Sequence, residues 1–583
     1  MTAAPSSPPE NSSTFTPPHP GSPQMPRWDA AELIDAPSFT WRNWTALIGP
    51  GLVMGAAAIG GGEWLQGPVV TARYGGGLLW LATLSIVGQV FYNLEISRYT
   101  LYSGEPIFTG KFRLLPGPMF WLCLYLVLDF GAVFPYLASN AATPVAMMIL
   151  DRVPDPDHIS GDFWLMRGLS YVIFLLGMLP LIFGGKVYNS VKAVMTFKLV
   201  TVVGFLLFLA FMYSKAATWK EICSGFVKFG NVPIERSEDF NGNGVLDPGE
   251  DWDSDGRLDS VESWDDKNRN GRPDAGEFND QDQDGRRDGD NLENVFVSLW
   301  EGRGFPTINL AIIAGLSAMV AVAGSGGLTN TTVSVYTRDQ GWGMGHHVGA
   351  IPTIFGNRRL ELSHTGVVFD VNEQTLPRWR RWQKHILRDQ LIVWGPACFV
   401  GLALPSMLSV QFLPRGTTAN DWNAAGMTAD GVANAVGSTW GPLFWFLTLF
   451  CGFLVLAGTI PVTADGFLRR WVDVFWTGSK RLRSWDPAHI GRLYFMVLCC
   501  YVAFGFLMLS FTSPKQLIEI TGLFYNYALG FSCWHTIGVN TILLPKAIRP
   551  GWFMRIAMFL AGAFFLAMAV LATVQLLRKY GFI

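Results

Sequence analysis

Charge is scarce in this chain. Asp, Glu, Lys and Arg make up 15% of its 583 residues while half are hydrophobic, proportions that exclude an ordinary soluble enzyme and indicate a polytopic membrane protein. Cysteine is scarce too: six of the seven, Cys123, Cys398, Cys451, Cys499, Cys500 and Cys533, fall in apolar windows and only Cys223 lies outside. They form no disulfide framework and read as small apolar filler. Residues 1–40 are rich in Pro, Ser and Thr but lack the cationic start and apolar core of a signal peptide, so they read as a disordered cytoplasmic tail. The chain has no GxxxxGK[ST] loop for ATP, no HExxH, no GxSxG and no paired acids at catalytic spacing. Neither a nucleotide-driven pump nor an intramembrane enzyme is expected, and no nucleic-acid partner.

What is present is length in apolar runs. Windows long enough to span a bilayer fall at about 46–73, 77–101, 118–148, 164–184 and 190–213, then at about 306–337, 386–409, 438–460, 491–511, 516–544 and 553–577. The fold class is therefore an all-α polytopic membrane protein of about eleven transmembrane helices. Orientation follows from Lys and Arg. Arg338, Arg358, Arg359, Arg378, Arg380, Arg381 and Lys384 fall between the sixth and seventh spans. Arg469, Arg470, Lys480, Arg481 and Arg483 follow the eighth, and Lys546, Arg549 and Arg555 the tenth. Arg415 stands alone between the seventh and eighth spans, and Lys515 alone after the ninth. The pattern predicts a plasma (inner) membrane protein with a cytoplasmic N-terminus and an external C-terminus.

The net charge of −2 conceals two opposed parts. Residues 238–293 hold 14 Asp and 5 Glu against 6 Lys or Arg, a net −13 that leaves +11 for the remainder. An oxygen-ligand pattern recurs there. Asp239, Asn241, Asn243, Gly244, Asp247 and Glu250 match positions 1, 3, 5, 6, 9 and 12 of a calcium loop. Asp251, Asp253, Asp255, Gly256, Asp259 and Glu262 repeat the offsets, as do Asp266, Asn268, Asn270, Gly271, Asp274 and Glu277. A fourth copy, Asp280, Asp282, Asp284, Gly285 and Asp288, has Asn291 in place of the bidentate Glu. The bland reading is a disordered acidic linker. The copies abut with no room for flanking helices, so they resemble the tandem Asp-rich repeats of thrombospondin type 3 and dockerin-like segments. An external module (239–291) stapled by structural Ca2+ is expected.

Two spans are interrupted by glycine. The first contains AAAIGGGEW, residues 56–64, in which Gly60, Gly61 and Gly62 precede Glu63. Each glycine costs a helix about 1 kcal/mol against alanine. A carboxylate near the bilayer midplane costs at least about 2.5–3.5 kcal/mol, which marks a functional position. The sixth span contains VAGSGGLTNTT, residues 322–332, with Gly324, Ser325, Gly326 and Gly327. Glycines also serve close helix packing, but breaks at matching places in two halves point to a transport site between inverted repeats. Helices 1–5 (41–214) and 6–10 (305–545) would be those repeats, with 215–304 an external loop and 546–583 an eleventh helix, the five-plus-five layout of the LeuT-like fold. Gly60, Gly61, Gly62, Glu63, Gly324 and Ser325 are the candidate substrate-binding residues.

In this layout the chain resembles the natural-resistance-associated macrophage protein (Nramp) family of divalent-metal transporters. The resemblance rests on Gly49-Pro50-Gly51, Trp64, Arg73-Tyr74-Gly75 and LLWL at 78–81, on LVLDFGAVFP at 126–135, and on residues 441–468 as an eighth helix. It implies secondary-active transport with proton or ion coupling, and gives Asp129 the place of an acid used in proton movement. The departures matter more. Where the family carries Asp-Pro-Gly-Asn this chain has Gly60-Gly61-Gly62-Glu63, and Met-Pro-His is missing from the sixth span. The loss of Met-Pro-His removes a soft thioether ligand, and the two changes together leave hard oxygens. Magnesium or another hydrated cation then suits better than iron or manganese. An organic solute remains an alternative substrate, and a non-transporting receptor with a calcium-binding external module an alternative function.

Other polar residues within spans divide between function and packing. Glu95 and Arg98 read as a structural pair, Lys192 and Lys198 as snorkelling or vestibule-lining cations. Glu519, Asn526 and His535 mark the tenth helix; His535 is a candidate proton-pathway residue or a satisfied packing histidine. Asn140 and Thr143 offer neutral ligands or interhelical bonds.

Overall fold

The computed structural model describes residues 15–17, 21–38, 49–155, 160–182, 187–234, 292–302, 304–306, 308–351, 362–413, 417, 424–511, 514–579 and 581. A two-residue strand, β1 (Asp29–Ala30), precedes the first span, which is broken into α1 (Pro50–Ala58), a π-helical turn at Gly62–Gln66 and α2 (Gly67–Tyr74). Pro50 and Pro68 occupy the first turns of α1 and α2, where a missing N–H leaves no bond unmade. There follow α3 (Trp80–Ser103) and the short α4 (Ile107–Phe112), then α5 (Pro118–Leu128) and α6 (Tyr136–Leu150), joined through a 3-10 turn at Phe130–Val133. α7 (Gly161–Ile182), α8 (Val187–Tyr213) and α9 (Ala216–Gly225) complete the first half.

Strands β2 (Asn231–Pro233) and β3 (Leu292–Asn294) pair antiparallel and bracket the acidic insertion. The calcium-type ligands Asp239 to Asp288 lie outside the described residues.

The second half runs from α10 (Val295–Trp300) into another broken span: α11 (Ile313–Val322), a 3-10 turn at Gly327–Thr331 and α12 (Thr332–Asp339). After α13 (Gly345–Val348) and strand β4 (Val367–Val368), α14 (Thr375–Arg388) passes through a π-turn into α15 (Gly395–Phe412). α16 (Ala429–Val436), the 38-residue α17 (Gly441–Gly478), α18 (Ile490–Phe511), α19 (Pro514–Leu543) and α20 (Trp552–Lys579) end the chain. α11 packs on α19 and α20, α17 on α6, α7 and α8, and α15 on α2, which leaves both broken spans at the centre.

Helix stands at all eleven windows. Among the described residues, however, eight helices are long and apolar enough to cross a membrane, or nine when Pro50–Leu78 and Trp80–Ser103, bent by 95°, count as one span. The break in the first span and the polar residues Glu519, Asn526, His535 and Asn540 of α19 bring the count below eleven. Large apolar side chains also cover the outside: Val200 on α8 is 69% exposed and Phe559 on α20 is 60% exposed. Apolar inside and out, the bundle is an integral membrane protein.

Part of the expected disordered tail is ordered. Residues 21–38 run as a strap in which β1 pairs in parallel with β4, and Met25, Trp28 and Leu33 are at most 3% exposed. Three large apolar residues supply the burial that average composition over residues 1–40 concealed.

Candidate substrate site at the two helix breaks

Helix α1 stops at Ala58, just before Ile59–Gly60, and α11 stops at Val322, just before Ala323–Gly326. Glycine is required at both. Gly324 has φ +99°, a conformation costly for any residue with a β-carbon. At Gly62 a β-carbon would stand 2.7 Å from the Val322 carbonyl oxygen, so the two broken spans touch backbone to backbone.

Glu63 joins the breaks. Its side chain is buried; Oε2 accepts from the Gly60 N–H at 3.1 Å and Oε1 from the Gly324 N–H at 3.0 Å. Both amides lie just past the C-terminal ends of α1 and α11, and one carboxylate accepts from both.

Lys198 of α8 serves the carbonyl side of the same Ile59–Gly60 peptide group. Its Nζ donates to the Ile59 carbonyl and to Thr459 Oγ1 of α17, each at 2.7 Å. The expectation that Lys198 snorkels to an aqueous edge is therefore corrected: it is 1% exposed, held inward by an orphaned carbonyl that lipid could not satisfy. At the second break a neutral group does both tasks. Gln89 of α3 accepts through Oε1 from the N–H groups of Ser325 (3.0 Å) and Gly326 (3.3 Å), and donates through Nε2 to the Ala323 carbonyl at 2.6 Å.

A small cavity of about 20 Å³ lies between the breaks, with Gly61, Gly62, Glu63, Gly324 and Ser325 on its wall, room for about one water. Tyr136, Thr329, Thr459 and Thr463 add oxygens, and Met54 of α1 adds a sulfur. Among the described residues Ser325 Oγ has no hydrogen-bond partner, so it can receive a guest. Among the described residues no three His, Cys, Asp or Glu cluster to hold a metal. A cation in this cavity would meet one carboxylate, hydroxyls and backbone carbonyls, a hard donor set apart from Met54.

The two candidate proton-pathway residues lie off the cavity wall. Asp129 is buried against Arg470 (Oδ1–Nη2 3.0 Å) and the Trp471 indole (2.9 Å), and Arg470 also donates to the Leu328 carbonyl beside the second break. His535 takes part in a 2.7 Å bond between Nδ1 and the Tyr125 hydroxyl and lies against the Trp121 ring at 4.0 Å.

Arg469, Arg470 and Arg338, assigned from sequence to cytoplasmic loops, are inside α17 and α12. Arg469 pairs with Asp465 and Asp339, Arg338 with Asp339 and Asp473, all buried. Glu95 and Arg98 do pair, at 3.0 Å, and Asn526 bonds Ser317 across helices.

Sequence reasoning missed Gln89 and also Asp389, whose carboxylate caps the start of α1 through the Gly51 N–H at 3.0 Å. The available signal for Gln89 was a second polar residue, Asn93, one helical turn away in an apolar run.

No family model and no curated protein matches the chain. Solved structures do. Crystal structures of two single-residue variants of the Eremococcus coleocola manganese transporter each align with a TM-score of 0.52 at 10% identity. One alignment covers 94% of this chain and 90% of the transporter, the other 96% and 92%. The likeness is one of fold, that of the LeuT-like helical bundle.

Proposed function

We propose that the protein is a secondary-active transporter that moves a small cation across the plasma membrane by alternating access through the cavity at the two breaks. A hard, largely hydrated divalent ion such as Mg2+ is the leading substrate, with proton or ion coupling. The observation that carries this reading is the Glu63 carboxylate, which bridges the Gly60 and Gly324 amides on the cavity wall. It is the only carboxylate lining that cavity among the described residues, and it ties together the two elements that must move against each other. The fold likeness to a manganese transporter supports metal as the substrate class, and the oxygen-rich wall supports a harder ion than manganese. The excess of Lys and Arg between the sixth and seventh spans supports a cytoplasmic N-terminus. The spacing of Asp and Asn over 239–291 supports an external, calcium-stapled insertion.

The test is Glu63→Gln in proteoliposomes. The amide keeps the volume but offers one acceptor oxygen in place of two, a loss of about 1 kcal/mol in stability that should leave the protein folded. Uptake of Mg2+, Mn2+ and Ca2+ should fall at least about tenfold, as expected when a cation loses its one anionic ligand. Wild-type flux in that variant would overturn the reading.

A further inference from the structure

The strap at residues 21–38 touches both repeats. On the first, the Ser22 N–H donates to the Arg113 carbonyl at 2.7 Å. The Arg113 guanidinium donates to the Pro26 carbonyl at 2.8 Å and lies 5.3 Å from the Trp28 ring, which packs on Tyr99 and Tyr102 of α3. On the second, β1 pairs with β4 in the register Asp29–Val367 and Ala30–Val368. Arg378 and Arg381 of α14 pair with Glu32 and Asp35, and the Trp382 indole donates to the Ile34 carbonyl at 2.8 Å. The chain of contacts continues to the site. Trp382 stands 6.1 Å from Trp342, and Trp342 presses on Gly49, where a β-carbon would fall 2.3 Å from the ring. Gly49 begins α1, the half-helix that ends at the cavity.

The two anchorages differ in their charged contacts. Arg113 and Trp28 are buried. The acids that meet α14 stand in water, the Glu32 side chain 77% and that of Asp35 59% exposed, and exposed ion pairs are individually weak. Alternating access requires the repeats to part at this end, which breaks one set of contacts.

We propose that residues 21–38 are a latch. The strap stays fixed on Arg113 and releases β4 and α14 when the cavity opens toward this end, so its grip sets the balance between the two gate positions. The inference rests on the transport reading. The test joins the register partners as a disulfide, Ala30→Cys with Val368→Cys, in the full chain in proteoliposomes, with each single variant as a control. Oxidation should lower Mg2+ uptake at least tenfold and slow hydrogen exchange in α1, and reduction should restore both. A second variant, Glu32→Gln with Asp35→Asn, leaves the core contacts in place and should speed exchange in α1 several-fold. Uptake that ignores oxidation, or α1 exchange that ignores the loss of both acids, overturns the latch. If the reduced protein carries no cation, the transport reading fails, while the exchange comparison still decides the latch.

Discussion

A break in a membrane helix leaves carbonyl and N–H groups that lipid cannot satisfy, and three side chains dispose of them here. Glu63 and Lys198 cap the first break as an anion and a cation, Gln89 the second as a neutral amide. Gln89→Leu should leave buried groups unpaired, each at about 1–3 kcal/mol. The expected outcome is a lower melting temperature in detergent together with reduced cation uptake, and Gln89→Glu, which keeps the acceptor but loses the donor to Ala323, should fall between. Unchanged melting of the leucine variant would show that water satisfies those groups instead. Glu63 and the glycines were legible in the sequence because their signal is local, an acid and a glycine run inside an apolar window. Lys198 was not, because its meaning lies in Ile59, 139 residues away. Asp129 was half legible: the buried charge was seen, but its partner Arg470 is 341 residues distant.

Elements were easier to read than their ends. Every apolar window holds a helix, yet α17 runs to Gly478, well past the apolar window that ends near 460. It can do so because Arg469 and Arg470 are neutralised by Asp465, Asp339 and Asp129 rather than by water. The strap was illegible for the opposite reason, its few apolar residues being diluted among Pro and Ser. Its anchor titrates. Burial alone would raise the Glu105 carboxyl, but the adjoining Arg113 guanidinium holds it below its ordinary value. Its contribution is therefore fully present above the unfolded carboxylate pKa of about 4.3 and is lost as pH falls through the lower folded value. Limited proteolysis of residues 21–38 should stay slow near neutrality and quicken below about pH 4. In Glu105→Gln it should be faster at neutral pH and lack that step; a step that persists in Glu105→Gln would assign it to another group.

Over the whole molecule, the arrangement that positions the site is two repeats closing on one cavity, a layout the paired glycine breaks disclosed. In sequence, the acidic stretch 238–293 falls between the two repeats. Full-length protein in detergent should bind Ca2+, detected by terbium luminescence quenched with excess Ca2+, and chelation should expose the insertion to protease while helical circular dichroism stays constant. Loss of helicity on chelation would mean that the ions stabilise the bundle itself. Removing residues 238–293 should leave measurable flux. One further consequence follows from the caps on the first break. Glu63 and Lys198 are an acid and a base on one peptide group of the first break, so in the proposed transport cycle the formal charges of this pair cancel. The electrical work, about 2.3 kcal/mol per charge per 100 mV, then falls on the charge of the cargo, and an imposed membrane potential should change the rate of cation uptake in proteoliposomes.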